Sequence, residues 1–395
     1  RDVGRALGMT YADVDRVARL VPFGPNMTLE RALQENVELR AMVQQDAIIR
    51  NLVNTARKVE GIARHASTHA AGVVISRDPL TWHVPLQRPS RDTAGVATAM
   101  VQFPMEDIAR IGLLKMDFLG LANLTILGQA REIIRQSRGE DIDLNALPMD
   151  DPATYALLAA GETTGVFQLE GSGMRRYIRE LKPTTFSDIA AMVALYRPGP
   201  MEQIPRFIRA KHGQEPIRYP HPALAGILEE TYGVIVYQDQ VLLIVREFAG
   251  YTLGQADIFR KAMGKKIPEV MQKERQNFIA GAMKKGHSKA LAEEIFALIE
   301  PFAGYAFNKA HAASYALIAY QTAYLKANYP AEYMTALLAS HIGQTEKVAS
   351  GVSECRRLGI EVLPPDINHS QANFTIELQA DGSRAIRFGL AAIKN

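Results

Sequence analysis

From Leu121 to Leu358 the chain is written almost entirely in helix-length blocks, and no other feature restricts its fold as strongly. Segments of helical pattern fall at 122–137, 152–160, 185–195, 222–230, 238–249, 254–264, 267–285, 288–300, 311–328, 330–341 and 345–358, punctuated by Pro and Gly. A chain patterned this way buries its apolar stripes helix against helix. Helices also open the chain. Tyr11 to Leu20 is amphipathic, Thr28 is placed to cap a helix that starts at Leu29, and a long helix is expected from about Asp46 to Arg64. Pro22 and Pro25 break the pattern between the first two. Short β-branched runs follow at 72–76, 84–86, 99–103 and 112–117, suggesting a small sheet, and strands return over 372–393 around an Asp381-Gly382 turn. The expected class is α+β, mostly α.

Composition narrows the setting. With 395 residues, 47% hydrophobic and 22% charged, the chain suffices for two or three ordinary globular domains. No apolar run is long enough to span a membrane and no signal peptide is evident. The single cysteine, Cys355, has no partner for an internal disulfide, which fits a cytoplasmic protein. A net charge of +3 is a weak pointer to an anionic partner. The chain opens on Arg1 and stops at Asn395 just after a strand-like stretch, so it is expected to be a piece of something longer.

The chemistry-bearing residues come in separated clusters. Leu113 to Leu121 is apolar except for Lys115 and Asp117, which share one face of a strand because the side-chain period is two. Such a pair suits Mg²⁺ on the carboxylate and a phosphate on the ammonium. By itself it reads equally as an ion pair at a sheet end. Arg260, Lys261, Lys265 and Lys266 place four cations in seven positions, either a phosphate-facing patch or a solvated helix face. Phe307, Asn308, Lys309 and His311 put an aromatic ring, an amide, a cation and an imidazole within five positions, a set that can stack a base and touch phosphate. Tyr315, Tyr320, Tyr324 and Tyr329 recur along a helix and read as core.

Gly171-Ser172-Gly173 leads into Arg175 and Arg176, a turn with paired arginines suited to a phosphate backbone, though no Walker A loop is present. Tyr196-Arg197-Pro198-Gly199-Pro200 is a rigid turn that fixes an arginine. His65 and His69 lie four apart, yet the residues between them include no glutamate base, so a structural or DNA-backbone role is favoured over zinc.

Taken in order, these stretches carry a resemblance. Arg64-His65-Ala66-Ser67-Thr68-His69-Ala70-Ala71-Gly72-Val73-Val74-Ile75, Lys115-Met116-Asp117-Phe118-Leu119-Gly120-Leu121, Val166-Phe167-Gln168-Leu169-Glu170, Tyr196-Arg197-Pro198-Gly199-Pro200, Tyr237-Gln238-Asp239-Gln240, Phe307-Asn308-Lys309-Ala310-His311 and Leu363-Pro364-Pro365-Asp366-Ile367-Asn368 together resemble the C family of DNA polymerases, the alpha subunits of bacterial DNA polymerase III. The resemblance implies a helical thumb over 1–70, the C-terminal half of a polymerase-beta-like palm over 71–121 and helical fingers over 122–395, whose last strands lie near the junction with the next domain.

It implies template-directed DNA synthesis with two Mg²⁺ ions, with primer-template DNA and deoxynucleoside triphosphates as substrates. Asp117 matches a catalytic, metal-holding aspartate and Lys115 a phosphate-contacting lysine. Arg260 and Lys261 match a basic pair that meets the triphosphate, where the family often has two arginines; Asn308, Lys309 and His311 line the nucleotide pocket, with His311 a candidate steric gate, and Arg197 lies near the nucleotide. Arg175, Arg176, His65 and His69 are expected on DNA. Two further catalytic aspartates are expected upstream of Arg1, and the clamp-binding, helix-hairpin-helix and OB regions beyond Asn395, where the sliding clamp and other replicase subunits would bind. The chain alone is therefore expected not to polymerise. An error-prone member of the same family, or a nonenzymatic DNA-binding module with the same fold, are the alternatives.

Overall fold

The computed structural model describes residues 1–22, 27–62, 66–69, 71–89, 99–265, 268–300, 302 and 306–393. They form two compact units, Arg1–Gly120 and Leu121–Asn395. No helix among the described residues is long and apolar enough to cross a membrane.

The first unit begins with α1 (Asp2–Ala6), α2 (Tyr11–Arg19), α3 (Leu29–Glu35), α4 (Val37–Gln45) and α5 (Ala47–Val59). Thr28 caps α3 through Arg31 N at 3.1 Å, as its position implies. Asp46 caps α5 by accepting from Ile48 N at 2.8 Å. The helix ends at Val59, short of the expected Arg64, and Gly61 follows at φ 84°, a left-handed conformation that ends helices. Residues 1–64 read as helical, but α4 had no bounds of its own in the pattern because Val37 is exposed and Leu39 alone is fully buried; the Asn36 cap was its legible signal. Val17, Ala32, Leu39, Ile49, Leu52 and Val53 form the core of this bundle.

After the helices come β1 (Gly72–Ile75), β2 (Leu86–Gln87), β3 (Met100–Val101), the short α6 (Met105–Arg110) and β4 (Leu114–Asp117). The expected small sheet is two separate two-stranded ribbons among the described residues, β1 with β4 and β2 with β3, both antiparallel.

The second unit is helical, as expected, and closes on a sheet. It runs through α7 (Ala122–Arg138), α8 (Pro152–Ala160), α9 (Ser172–Leu181), α10 (Phe186–Leu195), α11 (Ile204–Lys211), α12 (Ala225–Leu228), α13 (Gln238–Ala249), α14 (Leu253–Lys265), α15 (Pro268–Lys284), α16 (Lys289–Ile299), α17 (Lys309–Asn328), α18 (Pro330–Ser340) and α19 (Thr345–Arg357). Then come β5 (Val362–Leu363), β6 (Thr375–Leu378) and β7 (Arg384–Arg387), ordered β5-β7-β6 with β5 parallel to β7. Helix α9 opens where Gly171-Ser172-Gly173 was read as a turn, α11 falls in a stretch given no element, and the block 222–230 breaks into α12 flanked by 3-10 turns.

Helix α17 packs against α10, α8 and α18. Its Ala312, Ala316, Ala319 and Ala323 are buried, as are Ala190, Ala191 and Ala194 of α10, and such small side chains let two helices approach closely. Tyr320 is fully buried, with Tyr324 and Tyr329 packed partly into the core, so three of the four recurring tyrosines do build the interior. Tyr315 differs and is taken up with the site. Near the far end of α17 the buried Lys326 ammonium donates to Glu162 O, Thr164 O and Glu354 Oε1 at 2.7, 2.8 and 2.6 Å, which uses all three of its hydrogens. Cys355 is buried, and burial pushes its thiol up to about 12, so it is no nucleophile at neutral pH.

Candidate active site

Strand β4 carries the acidic end. In the β1–β4 register Gly72 stands across from Asp117 and Val74 from Lys115. Alternation along β4 then puts Lys115 beside Asp117, and Lys115 Nζ donates to Asp117 Oδ1 at 2.5 Å. This bond holds the Asp117 carboxyl below the usual carboxylate range. Asp117 keeps 44% of its side chain exposed, so the carboxylate is ionised and open to solvent.

His69 closes the other side. Its Nδ1 accepts from the backbone amides of Ala71 at 3.2 Å and Gly72 at 2.8 Å. An Nδ1 that accepts carries no proton, so the ring hydrogen sits on Nε2. The same Nδ1 lies 3.7 Å from Asp117 Oδ1. That approach joins two acceptors and is not an ion pair. Gly72 is what allows the crowding. A Cβ there would lie 2.7 Å from Lys115 Cε, 2.9 Å from His69 Nδ1 and 3.0 Å from Asp117 Oδ1. Sequence reasoning took Gly72 only as a strand start; the signal available was a glycine following the histidine motif and feeding a β-branched run. His65 lies outside the described residues, so the spacing of the two histidines has no structural counterpart here. Among the described residues no group of three His, Cys, Asp or Glu side chains could hold a metal ion.

In the second unit the motifs separated by sequence converge. Tyr237 and Phe307 form a parallel β-bridge, with Phe307 N donating to Val236 O at 3.0 Å and Gln238 N to Phe307 O at 2.8 Å. The bridge joins the Tyr237–Gln240 motif to the Phe307–His311 motif. From it an aromatic column rises. The Arg197 guanidinium lies over the Phe307 ring at 4.1 Å. His311 meets Phe307 edge-on at 5.1 Å and stacks on Tyr315 at 4.2 Å. Phe167, from the Val166–Glu170 motif, packs on Tyr315 at 5.3 Å. Tyr315 thus belongs to this column and departs from the core reading; an i+4 step from His311 along α17 was its legible signal.

The cations sit around the same joint. Asn308 caps α17, its Oδ1 accepting from His311 N at 2.9 Å. Lys309 Nζ reaches Glu230 at 2.5 Å, and its backbone N–H donates to Asp239 at 3.3 Å. Arg260 donates to Gln238 Oε1 at 3.3 Å and to Asp257 Oδ1 at 2.8 Å, while Lys261 Nζ lies 2.7 Å from the other Asp257 oxygen. Hydrogen bonds from Lys261 and Arg260 hold the Asp257 carboxyl below its usual range. Asp257 went unremarked in the sequence, although it stands three and four residues before the two cations it binds. Arg197 donates Nε to Ala194 O at 2.9 Å, and burial pulls its pKa down, though a guanidinium stays charged at any ordinary pH.

Arg175 and Arg176 stand apart from this joint, on α9. Arg175 turns toward the preceding loop, donating to Thr164 Oγ1 at 3.0 Å and Glu170 O at 3.3 Å. Arg176 lies over Tyr177 at 4.6 Å and 3.8 Å from Glu180. With Ser172 and Arg179 they line an open groove of about 490 Å³. Gly161 makes room for this cluster, since a Cβ there would lie 2.5 Å from Arg179 Cδ and 3.3 Å from Arg175 Cγ.

Both units are matched by family descriptions of one kind. Residues 1–120 match the bacterial DNA polymerase III alpha NTPase domain, and residues 123–286 match the bacterial DNA polymerase III alpha subunit finger domain. The chain belongs to the bacterial DNA polymerase III alpha-subunit family. It is 48% identical over 402 residues to DNA polymerase III subunit alpha of Thermus aquaticus, with all of this chain and 32% of that protein covered. It is 45% identical to the proteins of the same name from Bacillus subtilis and Escherichia coli K12, again over all of this chain and over 34% of each. The chain therefore spans about a third of the length of the curated relatives it matches.

One expectation is corrected by these matches. The helix-hairpin-helix region was expected beyond Asn395, yet a helix-hairpin-helix motif description matches residues 359–395. The described part of that segment folds as β5, β6, β7 and a 3-10 turn at Leu390–Ala392, which is why its pattern reads as strand.

Proposed function

We propose that the chain is the thumb, part of the palm and the fingers of a replicative DNA-directed DNA polymerase, working in the cytoplasm within a longer protein. The observation that supports this best is the ionised Lys115–Asp117 pair at an open strand end, in a chain of this family. Residues 1–70 are then thumb, 71–121 the C-terminal half of the palm and 122–395 fingers.

The reaction is nucleotidyl transfer: the primer 3′-hydroxyl loses its proton to solvent as its oxygen bonds to the α-phosphorus of a deoxynucleoside triphosphate, the bond from that phosphorus to the oxygen bridging to the β-phosphate breaks, and pyrophosphate leaves. Asp117 fits a divalent ion as one oxygen ligand among several, being ionised and exposed. A single carboxylate does not complete a two-metal site, so the other ligands are water, substrate phosphate and the aspartates that the resemblance implies. A divalent ion held by Asp117 would supply Lewis acidity toward the 3′-oxygen and the leaving phosphate. Lys115, bonded to Asp117, would be the cation for a substrate phosphate beside an ion held there.

In the fingers, Arg260 and Lys261 exchange Asp257 for the triphosphate, and Lys309 adds a third cation. Asn308 orients the first turn of α17, which presents His311 toward the sugar as a steric gate. Arg197 stiffens the Phe307 face of the pocket. Arg175 and Arg176 meet the DNA backbone across the α9 groove. His69 adjoins the carboxylate, and His65 is left with the DNA-backbone role. The sliding clamp and other replicase subunits bind through other parts of the longer protein.

The test is primer extension by the full-length protein with Mg²⁺ and four deoxynucleotides. Asp117→Asn should fall by orders of magnitude while the surface variant Asp143→Asn extends like the parent. Equal extension by Asp117→Asn removes the active-site reading. The 395-residue chain alone should not extend primer, since it offers one carboxylate where the chemistry needs several.

A further inference from the structure

The strand end holds a histidine that no motif reading put to work there. We propose that His69 is a positioning residue for the Asp117 carboxylate, and that it acts through the acceptor lone pair of Nδ1 rather than through charge or contact with nucleic acid. The inference rests on the reading of Asp117 as a metal-holding carboxylate and deepens it.

The geometry carries the argument. Nδ1 of His69 gathers two consecutive amides, those of Ala71 and Gly72, at 3.2 and 2.8 Å. These residues hold Asp117 in place. Ala71 O accepts from Phe118 N at 2.8 Å, on the residue next to the carboxylate. Gly72 is the strand partner of Asp117 itself. An amide pair tied to one ring nitrogen is fixed in register, and the fixed register sets the height of Asp117 at the end of the ladder. Because Nδ1 spends its lone pair inward, the ring cannot offer a proton to the carboxylate from that side, and the two acceptors stay 3.7 Å apart. The carboxylate is thereby left with Lys115 as its close donor, a partner that can move away. A protonated imidazole at the same distance would compete with an incoming cation; an acceptor nitrogen does not.

This role has a chemical mimic. Asparagine Oδ1 stands the same number of bonds from the backbone as histidine Nδ1 and accepts the same amides, yet it has no second ring nitrogen and no ring to stack. The full-length polymerase should therefore be compared as parent, His69→Ala, His69→Asn and Asp117→Asn, reading the Mg²⁺ concentration for half-maximal extension and, separately, primer-template binding without Mg²⁺. Loss of the acceptor in His69→Ala should raise the Mg²⁺ requirement about tenfold, as removal of a group that orients a metal ligand commonly does, while His69→Asn stays within about twofold of the parent. Primer-template affinity should be unchanged in both.

If His69→Asn behaves like His69→Ala, or if both weaken DNA binding at unchanged Mg²⁺ requirement, the lone-pair role is overturned. Parent-like behaviour of His69→Ala overturns it too. Should His69→Ala fail to fold, His69→Asn decides alone, since its loss of activity contradicts the proposal. Parent-like extension by Asp117→Asn instead removes the carboxylate reading on which the inference stands, and is told apart from these outcomes by that variant alone.

Discussion

Arg197 and Phe307, 110 residues apart, meet face to face: the guanidinium lies 4.1 Å from the ring centroid, on the strand-like bridge that joins Phe307 to Tyr237. A cation over an aromatic face at a partly buried site contributes about 0.5–2 kcal/mol. Arg197→Ala in the full-length polymerase should raise the KM for deoxynucleotides about tenfold with a smaller change in kcat. Phe307→Leu should move in the same direction. Steady-state kinetics at fixed primer-template checks both, and a KM untouched by either places this pair outside the nucleotide pocket.

Gly72 faces Asp117 with no room for a methyl group. Gly72→Ala should therefore slow extension by at least an order of magnitude, because Lys115, His69 and Asp117 must all shift. Gly128, in α7, has open space at its Cβ position, so Gly128→Ala should leave extension intact. Parallel extension assays with circular dichroism to confirm folding separate the two. Parent-like rates in Gly72→Ala would mean that this crowding does not shape the site.

Asp257 binds both Arg260 and Lys261. Removing its charge leaves two cations without their anion. Asp257→Asn should strengthen inhibition by pyrophosphate several-fold and steepen its salt dependence, since the positive charge of Arg260 and Lys261 is no longer offset. Inhibition curves at two ionic strengths give the answer. Weaker inhibition would assign Asp257 to holding Arg260 in place instead.

Glu354 offers a pH handle on stability. Burial alone would raise its pKa, but hydrogen bonds from Arg357 and Lys326 bring it down to about 2 in the folded chain. Its folded pKa lies below the unfolded value, so its contribution is complete above about pH 4.5 and is lost as pH falls toward 2. Thermal melts across pH 2–5 should show that loss. Glu354→Gln should cost about 3 kcal/mol at neutral pH, leaving Lys326 buried with an unanswered charge, and should flatten the acid limb. A variant that melts like the parent at pH 7 would contradict the assignment.

How much of this was legible beforehand depends on the kind of signal. Helices with a broad apolar stripe, such as α7 and α13, stood out because burial of one face is written at a fixed period. Helix α9 did not, because its opening glycines and paired arginines resemble a turn until Met174, Ile178 and Leu181 are seen buried together. Candidate residues such as Asp117, Arg260 and His311 could be named from the sequence because they sit in recognisable runs. Their neighbours were not, because contacts such as Gly72 across from Asp117 or Phe167 on Tyr315 depend on strand register and long-range packing. Only Asp257 and Tyr315 lay within helical reach of a named residue.

Helix α17 runs for 20 residues from the Asn308 cap to the neighbourhood of Lys326, so it spans about 30 Å. In its first two turns stand His311 and Tyr315; near its last, Lys326 is tied to Glu354 of α19. An intact helix of that length is a lever. A tilt of about 1° imposed at the aromatic column would become a shift of roughly half an ångström at the other end. A displacement at the aromatic column would thus reach α18 and α19, the helices that lead into the C-terminal sheet.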